Sequence, residues 1–303
     1  MGTNVLKAMI NIKNLSNYKI SDDGETVNNR INQKGVALET FVKDAFSNSF
    51  NETDKELKKN EYDKYFSYLG SKNNPPDLII KNGDAIEVKK RENLGDIQLN
   101  SSYPKNKLFS NDSRINQKCR ECEEWEEKDL LYVIGLAQKD EEEEERWALI
   151  TFIYGDCFAA DKEVYINVKN RASNKLNELP EANLETNEIA RLNNVDPLSV
   201  THLRVRPMWI LDNPIKKIFK DIFNFELNET QFSMICLMRK EKFESFPEED
   251  KQAIKNDDDI TFDEDVQISD PNNSDNLIDS VCIRFDVHGE WETFFIMYWN
   301  CFN

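Results

Sequence analysis

Pro76-Asp77-Leu78-Ile79-Ile80-Lys81-Asn82-Gly83-Asp84-Ala85-Ile86-Glu87-Val88-Lys89 is the stretch whose reading decides the fold. Two short apolar runs flank Asn82-Gly83, the pattern of a β-hairpin. Which face each side chain takes depends on the turn. A two-residue Asn82-Gly83 turn would set Lys81 against Asp84 and Leu78 against Glu87, mixing apolar and charged groups on each face. A three-residue loop, Lys81-Asn82-Gly83 with Gly83 in the left-handed region as a bulge, sets Ile80 against Asp84 and Asp77 against Glu87. Leu78, Ile80, Ile86 and Val88 then line one face, while Asp77, Glu87 and Lys89 share the other. Only the bulged loop separates the two kinds of side chain, so it is the expected geometry.

Directly opposed residues have Cβ atoms roughly 4.5–5.5 Å apart. Two carboxylates that close repel one another and raise a pKa unless a cation lies between them. A hard divalent ion with oxygen ligands, Mg2+ above all, resolves the repulsion. Lys89 follows Glu87 by two residues on the same face, placed to position a water and to stabilise charge on a phosphate. Metal plus lysine is a chemistry for hydrolysing phosphodiesters. Isolated D-x9-E-x-K matches also occur in ordinary surface hairpins. Here Pro75-Pro76 stiffens the approach to Asp77, the apolar face is continuous, and a carboxylate stands on the preceding helix. That helix is read from Leu38, Phe41, Val42, Ala45 and Phe46, spaced as one apolar face over residues 35–50. Glu39 lies about 100° around from Leu38, at the edge of the stripe, and can reach a site at the margin of the core.

The rest of the 303 residues supports a mixed architecture. Residues 52–65 read as a more exposed helix, 130–136 and 147–155 as buried strands around a charged loop at Glu141–Glu145, and 161–192 as helical. Residues 202–206 read as a strand, 256–280 as a polar, mobile stretch, and 281–287 with 293–299 as a terminal hairpin around His288-Gly289-Glu290. The expected fold class is α/β (α+β), a mixed central sheet flanked by helices.

Composition narrows the function. No apolar run approaches the length of a membrane span, and the N-terminus lacks the charged and apolar regions of a signal peptide, so a cytoplasmic protein is expected. Two histidines and six cysteines leave little for a histidine-rich metal site or a disulfide framework. Cys119-Arg120-Glu121-Cys122 has the spacing of half a zinc site, with no second half. The net charge of −18 argues at first against a nucleic-acid partner. Yet residues 120–145 hold 12 acids against 3 bases and residues 244–280 hold 13 against 2, and the remaining chain has 32 acids and 34 bases. A basic DNA-facing surface is therefore available.

Pro76-Asp77…Glu87-Val88-Lys89 resembles the signature of the PD-(D/E)XK nuclease superfamily, and the surrounding blocks resemble the NgoPII-type type II restriction endonucleases. The blocks are Gly35–Glu39, Phe66–Gly70, Asn73–Asp77, Gly83–Lys90, Leu99–Lys105 and Arg204–Trp209, spread over residues 30–215. The resemblance implies a PD-(D/E)XK restriction-endonuclease-like core and a homodimer that cleaves double-stranded DNA at a short palindrome, GGCC in this group. The products carry a 5′-phosphate and a 3′-hydroxyl. Mg2+ is the implied cofactor, with Mn2+ able to substitute, and a separate methyltransferase chain is the implied companion. Asp77 and Glu87 would bind the metal with the Val88 carbonyl as third ligand, Lys89 would assist the attacking water, and Glu39 would complete or orient the metal shell. Residues 1–215 would form the catalytic domain with its DNA-recognition elements, and residues 216–303, matched by no block, a C-terminal region packed on the core.

Arginine forks match the O6 and N7 acceptors of guanine. Arg204 and Arg206 alternate along one strand face and could enter a groove together. Ser101, Ser102, Tyr103 and Lys105 follow the hairpin closely enough to meet phosphates or base edges, and Lys90 and Arg91 are placed to meet backbone charge. Two alternatives remain open: a PD-(D/E)XK nuclease with another DNA target, and a non-cutting acidic regulator that binds DNA or protein.

Overall fold

The computed structural model describes residues 2–20, 30–70, 74–100, 102–112, 114–139, 144–183, 188–228 and 231–288. Its helices are α1 (Val5–Lys13), α2 (Arg30–Ser47), α3 (Lys55–Tyr65), α4 (Gln117–Arg120), α5 (Lys162–Asn177), α6 (Pro214–Lys217), α7 (Lys240–Glu244) and α8 (Glu248–Lys255). The strands are β1 (Phe66–Tyr68), β2 (Leu78–Ile80), β3 (Ala85–Arg91), β4 (Ile97–Asn100), β5 (Lys107–Phe109), β6 (Glu127–Lys139), β7 (Glu145–Tyr154), β8 (Ala190–Leu192), β9 (Leu203–Val205), β10 (Trp209–Leu211), β11 (Gln231–Arg239), β12 (Thr261–Asp270) and β13 (Asn273–His288). The central sheet runs β1-β2-β3-β6-β7-β11-β13-β12, with β5 on the side of β6. Two of its junctions, β3 with β6 and β7 with β11, are parallel and the others antiparallel. This is the expected mixed sheet flanked by helices.

Both faces of the sheet are buried, which is why β6, β7 and β11 read as continuous apolar runs. On one face Leu38, Val42, Ala45 and Phe46 of α2 pack against Leu78, Ile80, Ile86 and Val88. On the other, Ile79 and Ala85 join Tyr132, Ile134 and Ile153. Helix α1, which the sequence reading passed over as a polar start, covers the first face with Val5, Leu6, Met9 and Ile12 fully buried. Its signal was available: Asn4 accepts from the Leu6 and Lys7 amides as an N-cap ahead of that apolar stripe.

Several expectations are corrected. The helix expected over 161–192 stops at Asn177, and Ala190–Leu192 pair with β9. The polar stretch 256–280 is ordered into β12 and the first half of β13. Alternation with acids on the exposed side of an edge strand lowers mean hydropathy without preventing pairing. Residues 281–287 belong to β13, which pairs with β11 and β12, and the other half of the expected terminal hairpin lies outside the described residues. Of the Glu141–Glu145 loop, 141–143 lie outside the described residues and Glu145 already begins β7. Beyond residue 215 the chain adds β11, β12 and β13 to the central sheet. Among the described residues no helix is long and apolar enough to cross a membrane.

Gly135 of β6 explains how α2 lies so close to the sheet. A Cβ at this position would stand 2.6 Å from Leu38 Cδ1, and Leu38 is fully buried with no room to swing away. Because Leu38 precedes Glu39, the same contact sets the depth of that carboxylate. Gly135→Ala should therefore cost about 1–3 kcal/mol by overpacking, read as a lower midpoint in urea at unchanged m. An unshifted midpoint would show that α2 can retreat freely.

Candidate active site

The hairpin adopts the three-residue loop. Leu78 lies opposite Ile86 and Ile79 opposite Ala85, and the Ile80 amide bonds the Asp84 carbonyl at 3.0 Å. The left-handed residue, however, is Asn82 at φ 53°, not Gly83. Asparagine tolerates that region through its short polar side chain, and Gly83 instead closes the loop with its amide on the Ile80 carbonyl at 3.0 Å.

The far side of the turn is locked by a chain segment distant in sequence. Asp84 is buried and accepts from Tyr154 Oη and Lys242 Nζ, each at 2.6 Å. Lys242, on α7, also bonds Asp129 at 2.8 Å. At the other end Gly70, at φ 82°, packs so tightly on Asp77 that a Cβ would fall 2.4 Å from its carbonyl oxygen. The hairpin that carries the charged residues is thus gripped at both ends. No local pattern could have revealed Lys242 or Tyr154.

Asp77 stands just before β2. Its amide bonds the Ile86 carbonyl at 3.0 Å, one residue out of the Leu78–Ile86 register, so Asp77 bulges at the head of β2 where a regular pair with Glu87 was expected. Because β2 starts only at Leu78, the Val88 amide has no ladder partner on that side, and Asp77 Oδ2 takes it at 2.6 Å. Glu87 Oε1 receives Lys89 Nζ at 2.5 Å, while Glu87 Oε2 is buried without a hydrogen-bond partner. Such an orphaned acceptor is costly. Burial and the charge of Glu87 push the Asp77 carboxyl up to about 7, against the pull of Lys89 and of the Val88 amide. Burial likewise raises Glu39, which feels Lys89 and Glu87 across the margin of the core. Lys89 is driven down by burial, but the charges of Glu87 and Asp77 outweigh this and leave it above its ordinary value, a firmly held ammonium. Asp77, Glu87, Lys89 and Glu39 therefore share one electrostatic field. No group of three or more acidic, histidine or cysteine side chains among the described residues converges on a single metal position.

The expected DNA-facing residues divide. Arg204 and Arg206, both exposed, turn their Nε groups to a single carboxylate, Glu188, at 2.9 and 2.6 Å. The two guanidiniums hold Glu188 down at about 2. β4 pairs with β10, which brings the 99–105 and 204–209 blocks together. Tyr103 stacks on Tyr165 with centroids 5.5 Å apart and meets the edge of Trp209 at 6.5 Å. Ser102 lies 3.5 Å from Arg114 Nη1, and Ser101 is outside the described residues. Lys105 is buried, salt-bridged to Asp112 and seated 4.6 Å over the Tyr103 ring, so it braces this loop. Lys90 pairs with Glu92 at 2.7 Å. Glu188 and Tyr165 were missed, each being an ordinary residue whose partners come from another segment. Cys122 Sγ points to the Cys119 carbonyl at 3.1 Å, a local turn contact.

A family model described as NgoPII restriction endonuclease matches residues 3–270. The chain belongs to the NgoPII restriction endonuclease family. The match runs past residue 215 and so takes in β11 and β12, which the resemblant blocks did not reach. The curated "Type II restriction enzyme NgoPII" of Neisseria gonorrhoeae is 37% identical over 286 residues, covering 93% of this chain and 99% of that protein. No solved structure matches. The protein is a type II restriction endonuclease.

The raised Asp77 carboxyl has a consequence for stability. Its folded-state value near 7 exceeds the unfolded value near 4. Stability is therefore whole below about pH 4, falls as pH rises towards about 7 and then levels off. In chelator-containing buffer Asp77→Asn should raise Tm at pH 8 by more than it does at pH 5. An equal shift at both pH values would remove Asp77 as the cause.

Proposed function

We propose that this enzyme is a homodimeric, Mg2+-dependent nuclease that cuts double-stranded DNA at GGCC, leaving a 5′-phosphate and a 3′-hydroxyl. It would act in the cytoplasm beside a separate methyltransferase. The observation that carries the chemistry is the partnerless Glu87 Oε2 across the hairpin from Asp77, with Lys89 fixed beside it. A buried acceptor opposite a second carboxylate suits a hard cation with oxygen ligands.

Asp77, Glu87 and the Val88 carbonyl would hold the ion, with Glu39 orienting the shell from the edge of the core. Strand alternation supports the carbonyl: Val88 points its polar groups to the side where its amide meets Asp77, off the ladder with β6. When bound, the ion would polarise the phosphate and lower the pKa of a bound water. The chain's own residues do the rest. Asp77 is held in place by the Val88 amide. Lys89, kept charged by its acidic neighbours, donates to the attacking water or to the phosphate oxygens and offsets the negative charge that builds there. An ammonium so firmly protonated orients and stabilises; it does not abstract the proton.

Arg204 and Arg206 would read guanine in the major groove, their forks held ready by Glu188. Ser102 and Tyr103, with Ser101, would contact the duplex near the cut, and Lys90 would meet a phosphate by exchanging Glu92 for it. Lys105 contributes through the loop it braces. GGCC rests on the resemblance of the sequence blocks to this family.

The test is digestion of a sequenced plasmid with Mg2+, with Ca2+ as control, and sequencing of every end. All ends should fall at GGCC; discrete ends elsewhere would discard that target and keep the mechanism. Asp77→Ala and Lys89→Ala should abolish cutting while specific binding in Ca2+ persists, and retained cutting would remove either residue from the mechanism. Arg204→Ala or Arg206→Ala should lose about 1–3 kcal/mol of discrimination between cognate and altered sites in competition binding. A uniform loss on all sequences would make that arginine a phosphate contact.

A further inference from the structure

Alternation along β3 puts Glu87, Lys89 and Arg91 on one face, with Lys90 on the other. Three of these four are accounted for: Glu87 and Lys89 by each other, Lys90 by Glu92. Arg91 is not. Its guanidinium has no hydrogen bond or ion pair among the described residues, and its Nε is buried without a partner.

We propose that Arg91 is a phosphate-binding residue that grips the DNA backbone next to the bond being cut. This rests on the nuclease reading above and adds a contact to the same site. Arg91 stands two residues beyond Lys89, about 6.6 Å further along the strand. Space is kept for its head group, since a Cβ on Gly95 would come within 3.1 Å of Arg91 Nη2. The turn beneath is closed by the Gly95 amide on Asn93 Oδ1 at 2.8 Å. From there the chain enters β4, which pairs with β10, three residues after Arg206. Arg91 thus lies in the chain between the cutting row and the recognition ribbon. A planar, permanently charged fork that lacks an acceptor among the described residues is matched by two oxygens of one phosphate. An arginine serving only to brace the fold would be expected to have a carboxylate or carbonyl on that fork, as Arg239 has in Asp156.

The experiment compares wild type, Arg91→Met and Arg91→Lys as full-length proteins. It measures binding to a GGCC duplex and to an unrelated duplex in Ca2+ over a range of salt, single-turnover cleavage in Mg2+, and Tm. Arg91→Met should weaken binding to both duplexes by the same factor, lower the slope of log K against log salt by about 1, slow cleavage and leave Tm unchanged. Arg91→Lys should restore the slope. An unchanged slope and affinity in Arg91→Met overturns the proposal, as does a loss confined to the GGCC duplex, which would make Arg91 a base reader. A lower Tm that lysine does not repair would make Arg91 structural. Wild type that neither binds nor cuts either duplex would overturn the nuclease reading itself. Wild type that cuts normally beside an Arg91→Met protein indistinguishable from it overturns only this proposal.

Discussion

Two buried carboxylates held within one electrostatic field are the constraint on which the molecule is built. Asp77 and Glu87 repel, and burial sharpens the repulsion, so nothing local favours the arrangement. It persists because the surrounding structure leaves no other choice. A one-residue slip of the hairpin would turn Leu78, Ile80, Ile86 and Val88 out of the α2-facing core. The same slip would pull Asp84 from Tyr154 and Lys242. Gly70 against the Asp77 backbone and Gly135 beneath Leu38 close the remaining freedom. The strain gathered at the site is offset by packing elsewhere.

Part of the chain's acidity lies away from the hairpin. Acids of the 244–280 stretch lie on α7, α8, β12, β13 and the turn between α8 and β12, where many are matched locally: Glu244 with Lys251, Glu264 with Lys255, Asp257 and Asp259 with Lys13. β12 is the edge strand at the opposite end of the sheet from β2 and β3. Five strand spacings separate β3 from β12, roughly 24 Å at about 4.8 Å each and well beyond a Debye length of about 8 Å at physiological salt. The acids of β12 scarcely oppose charge at Lys89. Acidic side chains on an exposed edge also discourage pairing with another chain.

The pairing that joins the 99–105 and 204–209 blocks is a tertiary creation. β4 and β10 are more than a hundred residues apart, yet their pairing sets Tyr103 against Tyr165 and Trp209 and carries the chain from Arg91 towards Arg206. Glu188 likewise organises two arginines from the neighbouring strand of its hairpin region. A shared carboxylate keeps the forks parallel and exposed rather than splayed by mutual repulsion.

The sequence by itself determined the register of the hairpin, the face carrying Asp77, Glu87 and Lys89, the stripe of α2 with Glu39 at its edge, and the mixed sheet. All of these follow from periodicities of 2 and 3.6 and from turn length, which are local properties. It also carried the family blocks that placed the chain among restriction endonucleases. It misjudged Gly83 for Asn82, because either residue tolerates a positive φ and only the closed loop decides between them. Residues 256–280 looked unstructured because an edge strand needs apolar side chains on one face only. Tertiary structure alone decided that Lys242 locks the hairpin, that Lys105 is buried on Asp112, that Glu188 holds Arg204 and Arg206, and that Arg91 has no acceptor among the described residues. These depend on how side chains meet across loops and between segments, from seven residues apart for Lys105 and Asp112 to 158 for Asp84 and Lys242, and such polar pairing leaves no periodic trace in a sequence.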